Sequence, residues 1–253
     1  MSEATSLMND TWRVWNNDDK VEMRTYKRVT GQLPEMESTK QLVELVGQVY
    51  RPGMTVLDVG CAAGHYYNGL VRLDPALKYT GIDATVKYID FARKHFKSNP
   101  NTRFEYGDIF DLTDASLKSD IVFCCNVILH LPDFRAPIKN MLEVTKKHLF
   151  IRTLISDKTY LNKFLYTDEF DANGNPTNFV HQNTYSFSLL NSFIKQQGKY
   201  DVELIKDKFD VDNINQEYEN YSDQQSAVTR VIGDKQIAGN VIFEWKWLKI
   251  SAR

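Results

Sequence analysis

The segment VLDVGCAAGHYY, residues 56–67, limits the possible folds more than any other part of the sequence. An apolar run ends in an acid and a glycine, a loop of small residues follows, and aromatic residues come next. A buried strand that passes through such a loop into a helix is typical of an open α/β sheet. In these sheets, ligands bind outside the carboxyl ends of the strands. The segment therefore predicts a fold class and the position of a ligand site.

Strand-like and helix-like runs alternate through the rest of the chain. Apolar runs predict strands at 54–60, 78–83, 102–109, 120–127, 148–155, 200–209 and 240–250. Helix patterns lie at 35–50, 85–98, 133–147 and 186–198. The alternation predicts an α/β fold with a mostly parallel sheet that helices cover on both faces.

Three segments stand outside this alternation. Residues 1–50 contain WRVWNNDDKVEMRTYKR, which predicts either a lid or a helix packed on the sheet edge. Residues 156–184 are rich in polar and aromatic side chains, and residues 210–239 separate the last two predicted strands. Connections of this length in compact domains are usually functional or disordered. We predict that both segments are insertions that cover the pocket of one ligand-binding domain at 51–253.

Charge and composition narrow the range of partners. The formal net charge of −2 gives no broad basic field of the kind that nucleic-acid binding requires. The N-terminal MSEATSLMND lacks the layout of a secretory signal, and no apolar run reaches the roughly 20 residues that span a bilayer. We therefore expect a cytoplasmic monomer or homodimer that acts on a small molecule and binds neither nucleic acid nor membrane.

The glycine loop and two later acids indicate the ligand. Dinucleotide enzymes carry G-x-G-x-x-G, whose middle glycine lets the pyrophosphate approach the backbone, but that position is Ala62 in this sequence. Asp83 follows the loop by about twenty residues, where a carboxylate can accept from both ribose hydroxyls. Asp108 ends the next predicted strand and can accept from the exocyclic amine of adenine. An adenosine ligand without a pyrophosphate fits this pattern, and S-adenosylmethionine is such a ligand, whereas NAD is not.

Four segments resemble the first four motifs of the class I S-adenosylmethionine-dependent methyltransferases in order and spacing. They are VLDVGCAAG, YTGIDAT, EYGDIFDL and DIVFCCNVILHLPD, and the resemblance covers residues 54–155. It implies a Rossmann-like, doubly wound sheet of seven strands with a terminal antiparallel strand. It also implies S-adenosylmethionine as cofactor and S-adenosylhomocysteine as product. The cofactor-binding residues implied in this way are Asp58, Gly60, Cys61, Ala62, Gly64, Asp83, Ala84, Asp108, Ile109 and Asn126.

Two histidines are candidates for catalysis. Methyl transfer from a sulfonium is an in-line displacement in which alignment supplies much of the rate. A neutral amine acceptor needs no base, whereas a hydroxyl usually does. His130, just after the fourth predicted strand, is the preferred base, and His181 in the first insertion is the second candidate. Each also fits a structural role. The candidates for acceptor contacts are Tyr66, Tyr67, Arg152 and Tyr160.

The nature of the acceptor follows partly from motifs that are absent. Enzymes that methylate exocyclic amines of bases carry D/N-P-P-Y/F after the fourth strand, where this sequence reads NVIL. No CxxC pair and no acidic ligand pair are found, so we expect no metal. The polar insertions, and an arrangement similar to bacterial methyltransferases of surface-polysaccharide and natural-product pathways, favour an oxygen acceptor such as a sugar or a precursor in those pathways. N-methylation of a small amine and a cofactor-binding protein without transferase activity stay open as alternatives.

Overall fold

The computed structural model of the chain describes Trp15 and residues 18–209, 229–232, 235–238 and 241–253. The helices are α1 (Asp19–Val29), α2 (Glu37–Val49), α3 (His65–Leu70), α4 (Val86–His95), α5 (Arg135–Val144) and α6 (Phe187–Gln197). The strands are β1 (Thr55–Val59), β2 (Lys78–Asp83), β3 (Thr102–Tyr106), β4 (Ser119–Cys125), β5 (Thr145–Ser156), β6 (Lys163–Leu165), β7 (Phe179–His181), β8 (Tyr185–Ser186), β9 (Tyr200–Lys206), β10 (Thr229–Ile232), β11 (Lys235–Ala238), β12 (Val241–Phe243) and β13 (Trp245–Ala252).

The main sheet has eight strands among the described residues, and seven of them follow the order β3-β2-β1-β4-β5-β13-β9. Strands β1 to β5 pair in parallel, whereas β13 runs antiparallel to both β5 and β9. The short strand β8 adds one parallel pair at the end of β5. The predicted mostly parallel sheet with a terminal antiparallel strand is confirmed. The strand order reverses between β1 and β4, and ligands bind such sheets at this switch point.

The helix ends follow from local side-chain chemistry. α1 begins after Asp18, whose carboxylate accepts from the Val21 backbone N–H at 2.9 Å. α6 begins after Ser186, whose hydroxyl accepts from the Leu189 N–H at 3.3 Å. Both residue types are preferred at helix starts because they satisfy N–H groups that lack partners within the helix. All four predicted helices are present, and each is a few residues shorter than its pattern suggested.

Helices cover both faces of the sheet, which gives two apolar layers. One layer contains side chains of α5 and α6, such as Ile138, and the other contains side chains of α2 and α4, such as Leu42. Cys124 belongs to the first layer and Cys125 to the second, as the alternation of side chains along a strand requires. The two layers therefore hold the strand ends at the switch point in a fixed position.

The C-terminal region differs from the prediction of a single strand at 240–250. β12 joins β10 and β11 in a separate three-stranded sheet, and only β13 belongs to the main sheet. The change occurs at Glu244, whose carbonyl accepts from the Ile155 N–H at 2.9 Å and so starts the pairing with β5. Of the predicted insertion at 210–239, residues 210–228, 233–234 and 239 lie outside the described residues. Its role as a cover stays a prediction.

Candidate functional site

A cavity of about 330 Å³ lies at the carboxyl ends of β1, β2 and β4, which is a size typical of small-ligand sites. Many of the predicted site residues line it together: Gly60, Ala62, Tyr66, Asp83, Ala84, Asp108, Ile109, Asn126 and His130. The remaining predicted residues are not part of this lining: Asp58, Cys61, Gly64, Tyr67, Arg152, Tyr160 and His181. The roles of both groups stay predictions, and their positions are described below.

The loop after β1 has three residues in left-handed backbone conformations. The φ angles are 80° at Gly60, 47° at Ala62 and 86° at Gly64. A Cβ atom at Gly60 would lie 2.3 Å from Cγ2 of Val127, which belongs to the turn after β4. Glycine at this position therefore permits both the left-handed backbone angle and the close approach of the two loops. Ala62 adopts the same region with a side chain, at a cost of about 1–2 kcal/mol.

The substitution Gly60→Ala is expected to lower the free energy of unfolding by about 2–5 kcal/mol, because the left-handed angle and the overlap with Val127 both disfavour a Cβ atom. Gly53→Ala is the matched control, since Gly53 has a φ of 88° but no atom within 4 Å of an added Cβ. Only the conformational cost of about 1–2 kcal/mol applies there. Urea unfolding of both variants measures the difference. Equal losses would show that the approach to Val127 is not tight.

Asp83 ties the end of β2 to the glycine loop. Its Oδ2 accepts from the Ala62 N–H at 2.8 Å, and its Oδ1 accepts from the Thr85 N–H at 2.8 Å. Burial raises the pKa of this carboxyl, although the two N–H donors act in the opposite direction. The carboxylate also lines the cavity, so it holds the loop and faces the ligand space at once.

Asp58 lies beneath the loop and does not face the cavity. The Tyr79 hydroxyl donates to its Oδ2 at 2.5 Å, and its Oδ1 has no hydrogen-bond partner among the described residues. Burial raises the pKa of this carboxyl well above its usual value. Cys61 is also buried and packs against Gly81 of β2. Both side chains are buried in the packing under the glycine loop. A direct contact of either with the cofactor stays a prediction.

The third predicted acid, Asp108, also lines the cavity. Asp108 follows β3, and its Oδ1 accepts from the Phe110 N–H at 2.9 Å. Ala84 and Ile109 line the cavity beside it, and Ile109 is 8% exposed. A carboxylate beside apolar side chains provides an acceptor next to an apolar surface, which suits a planar ring with an exocyclic amine.

His130 has a defined tautomer. Its Nδ1 lies 2.8 Å from the carbonyl oxygen of His181, and since a carbonyl only accepts, Nδ1 carries the proton and Nε2 the lone pair. Burial lowers the pKa of His130 to about 4, so the ring is neutral at pH 7. The Trp15 and His130 rings pack at 69° to each other, with ring centroids 5.0 Å apart. The arrangement presents a neutral imidazole whose Nε2 has no hydrogen-bond donor among the residues that the structure describes.

The two predicted histidines contact each other only through the backbone of His181. The His181 ring is half-buried and packs at right angles to Phe179, with centroids 5.2 Å apart, outside the cavity lining. The insertion at 156–184 is further fixed to the turn that holds His130. Asn183 is 1% exposed, its N–H donates to the Leu129 carbonyl at 2.9 Å, and its Nδ2 donates to the Leu131 carbonyl at 2.9 Å. The insertion therefore positions His130 through carbonyl and amide groups.

Arg152 is paired inside the protein. Its Nε and Nη2 donate to the two carboxylate oxygens of Asp207 at 2.7 and 2.8 Å. Its Nη1 donates to Oδ1 of Asn126 at 2.6 Å, and Asn126 lines the cavity. Arg152 thus reaches the cavity through another side chain, and the direct substrate contact predicted from the sequence has no support in this geometry.

The three predicted tyrosines occupy different environments. Tyr66 is 3% exposed and lines the cavity, and its hydroxyl lies 3.3 Å from the Ser38 hydroxyl. Tyr67 is buried, and its hydroxyl accepts from Asn99 Nδ2 at 2.5 Å, away from the cavity. Tyr160 is 54% exposed in the insertion. Of the three, Tyr66 lines the cavity, and the acceptor contacts of all three stay predictions.

Helix α1 contributes residues that the sequence reasoning missed. Val21, Thr25 and Arg28 lie on one helix face and line the cavity, which the i, i+4, i+7 spacing could have indicated. α1 is held against α4 by stacking of Tyr26 on Phe91, with ring centroids 3.9 Å apart.

His65 at the start of α3 also lines the cavity. Its two ring nitrogens are buried without a partner among the described residues, and burial lowers its pKa to about 3, with the Arg28 charge adding to the shift.

Within the part of the chain that the structure describes, no group of three or more His, Cys, Asp or Glu side chains could hold a metal ion. None of the helices described combines the length and apolar character needed to cross a membrane.

Comparisons with known proteins agree with the geometry. A family model described as a methyltransferase domain matches residues 51–219. The chain is 32% identical to a ubiquinone biosynthesis O-methyltransferase of Coxiella burnetii over 118 residues, 45% of this chain and 50% of that protein. It is 33% identical to a tRNA U34 carboxymethyltransferase of Campylobacter jejuni over 90 residues, 35% of this chain and 30% of that protein. The matches thus span half or less of these relatives.

Solved structures match over more of the chain. The crystal structure of magnesium protoporphyrin IX methyltransferase from Synechocystis PCC 6803 covers 100% of this chain and 99% of its own, with a TM-score of 0.54 and 13% identity. A methyltransferase from Clostridium acetobutylicum, described as dependent on S-adenosylmethionine, covers 90% of this chain and 96% of its own, with a TM-score of 0.55 and 13% identity. At this level of identity the likeness shows the fold alone.

Proposed function

The chain belongs to the class I S-adenosylmethionine-dependent methyltransferases, and on that premise we propose that it transfers the methyl group of this cofactor to a hydroxyl oxygen of a small molecule. The observation that carries the proposal is the convergence of the glycine loop, Asp83 and His130 on one cavity. The loop and the carboxylate serve the cofactor, and the imidazole serves the acceptor.

The lining residues fit the cofactor at both of its ends. Asp83 keeps lone pairs for the ribose hydroxyls, since a carboxylate has about four acceptor sites and two are used by backbone N–H groups. His65 has two buried nitrogens that lack partners among the described residues, beside the cationic Arg28. Donor and acceptor groups together suit the carboxylate and ammonium of the methionine part. When bound, S-adenosylmethionine supplies an electrophilic methyl group.

The state of His130 supports its role as the base. The neutral ring holds its lone pair on Nε2, because Nδ1 donates to the His181 carbonyl. Nε2 would take up the proton of the acceptor hydroxyl as its oxygen attacks the methyl group that the bound cofactor would supply. The Trp15 ring packs against this imidazole, with ring centroids 5.0 Å apart, and so limits its movement.

The lining nearest to α1 bears on the kind of acceptor. Trp15, Val21, Met36 and Tyr88 are largely apolar or aromatic and face the same cavity. We propose an acceptor whose hydroxyl is carried by an apolar or aromatic body, in line with the O-methyltransferase activity named for the Coxiella relative. A sugar acceptor, or a polysaccharide precursor, stays a prediction without support from this lining.

A nucleic-acid acceptor is the second candidate, because one group of relatives modifies tRNA. The net charge of −2 weighs against it, since RNA binding draws its affinity mainly from basic side chains.

We also propose that the insertion at 156–184 covers the acceptor side, because Asn183 and the His181 carbonyl fix it to the His130 turn.

Calorimetry of the purified chain tests the cofactor. S-adenosylmethionine and S-adenosylhomocysteine are expected to bind and NAD is not, because Ala62 carries a side chain where a pyrophosphate needs glycine. NAD binding without a response to either sulfur ligand would overturn the assignment. A transfer screen with methyl-labelled cofactor then identifies the acceptor. It should contain matched hydroxyl and amine compounds, such as phenol and aniline, together with unmodified tRNA.

A further inference from the structure

A buried ion pair next to the cavity has no direct part in the proposed reaction. Arg152 is 7% exposed and Asp207 is 6% exposed, and the two form a bidentate pair. The guanidinium also lies over the Trp245 ring, 4.3 Å from its centroid. The two hydrogen bonds to Asp207 and the contact with the Trp245 ring fix the plane of the guanidinium, because its N–H donors have a rigid planar geometry. Nη1, which does not pair with Asp207, donates to Asn126.

Asn126 is held by this pair in an unusual conformation. It has a φ of 61°, and its backbone N–H donates to the Arg152 carbonyl at 2.9 Å. Its Oδ1 accepts from Nη1 of Arg152 at 2.6 Å, and because a guanidinium only donates, the oxygen and not the nitrogen of the amide must face it. The amide nitrogen is therefore turned away from Arg152. No group among the described residues accepts from Nδ2.

On the basis of the proposed function, we infer that Arg152 and Asp207 are positioning residues that turn the Asn126 amide so that its NH₂ group donates to the acceptor atom at the point of methyl transfer. Asn126 and His130 line the same cavity and are four positions apart in the chain. One presents a fixed donor, and the other presents a fixed acceptor nitrogen. The pair forms a two-point site for the attacking atom.

This two-point site distinguishes a hydroxyl from an amine. A hydroxyl oxygen can donate its proton to His130 Nε2, accept from Asn126 with one lone pair and attack the methyl with the other. A neutral amine has one lone pair, which must attack the methyl, so it cannot also accept from Asn126. The inference therefore extends the proposed function by assigning the oxygen preference to Arg152, Asp207 and Asn126.

Sinefungin tests the placement without a known acceptor, because this cofactor analogue carries an ammonium group where the methyl group is transferred. Asn126→Asp keeps an oxygen for Arg152 and replaces the NH₂ donor with a carboxylate oxygen. If the amide faces the transfer point, the affinity for sinefungin should rise by about tenfold or more relative to S-adenosylhomocysteine, which has no charge there. Calorimetry of both ligands on wild type and variant gives the ratio.

Arg152→Lys tests the positioning role. A lysine cannot pair with Asp207 and hold Asn126 in the same fork, so the amide is free to turn its oxygen to the cavity. The sinefungin affinity relative to S-adenosylhomocysteine should then rise by about two- to tenfold. Arg103→Lys is the matched control, because Arg103 pairs with Glu105 on the surface. Thermal melting shows whether each variant is folded at the titration temperature.

The outcomes separate the inference from the proposed function. A wild-type protein that binds none of the three ligands refutes the proposed function, and the inference falls with it. Normal binding of all three with an unchanged ratio in Asn126→Asp refutes the inference alone. A loss in Arg152→Lys that is equal for both ligands indicates a merely structural role and also refutes it. Preferred transfer to amines over matched hydroxyl compounds in the screen would overturn it as well.

Discussion

His130→Ala is expected to lower the single-turnover rate of methyl transfer by about 10²–10⁴-fold, the usual contribution of a positioned base. The lower end of that range is favoured, because burial lowers the pKa of His130 to about 4 and a weaker base takes up the proton less readily. The affinity for the cofactor should stay close to that of wild type. The hydroxyl acceptor found in the transfer screen is used at saturating cofactor.

The variant His130→Asn separates the base from a bracing role. An asparagine amide can still donate to the His181 carbonyl, as His130 Nδ1 does, but it has no nitrogen lone pair in place of Nε2. The rate should fall as in the alanine variant, with a smaller loss of thermal stability. His181→Ala is the control, because it removes the His181 ring and keeps the backbone carbonyl that accepts from His130. A folded His130→Asn enzyme with wild-type rates would remove His130 from the mechanism.

The pH dependence gives an independent check on the same residue. An imidazole acts as a base only when it is neutral, so the rate should fall as the pH drops through the pKa of His130. With that pKa lowered to about 4 by burial, activity should persist through pH 6. A loss of rate centred near the ordinary histidine value would contradict the environment described for this ring.

The second large effect is expected from Asp83→Ala, which should weaken binding of S-adenosylhomocysteine by about 10- to 150-fold, the value of hydrogen bonds to a charged group at 1.5–3 kcal/mol. The loss should be similar for 5′-methylthioadenosine, because both ligands carry the ribose and only one carries the amino-acid part. Calorimetry of the two ligands measures this.

Two controls accompany this substitution. Asp83 also accepts from the Ala62 and Thr85 N–H groups, so the variant must be shown to be folded by thermal melting. Asp111→Ala removes an exposed acid of the next rim loop that does not line the cavity, and it should leave both affinities unchanged. An unchanged dissociation constant in folded Asp83→Ala would locate the ribose elsewhere.

Much of the cofactor side could be predicted from local sequence. A buried strand followed by a loop of small residues is typical of a βα turn. Acids that follow successive parallel strands lie at the same edge of the sheet. Gly60, Asp83 and Asp108 were located in this way. Their spacing along the chain reports their spacing in the fold, because each follows directly from a strand end.

The contributions of distant segments could not be read in the same way. Arg28 reaches the cavity because α1 packs against α4, and the Tyr26–Phe91 stack that holds it joins residues far apart in the sequence. The polar insertion at 156–184 gave no sign that Asn183 would be buried against the Leu131 carbonyl. Such contacts depend on which surfaces the completed sheet leaves to be covered.

The sequence alone determined the fold class, the ligand-binding edge of the sheet and the acids Asp83 and Asp108 at that edge, because period, glycine positions and strand ends are local properties. Tertiary structure alone decided the protonation of His130 and the orientation of Asn126 on the side of the cavity for which catalysis is proposed. The proton on His130 Nδ1 depends on the His181 carbonyl, and the orientation of the Asn126 amide depends on an arginine that Asp207 holds. A tautomer or an amide rotamer is fixed by whichever donor or acceptor packing brings within 3 Å, and that partner can come from any part of the chain.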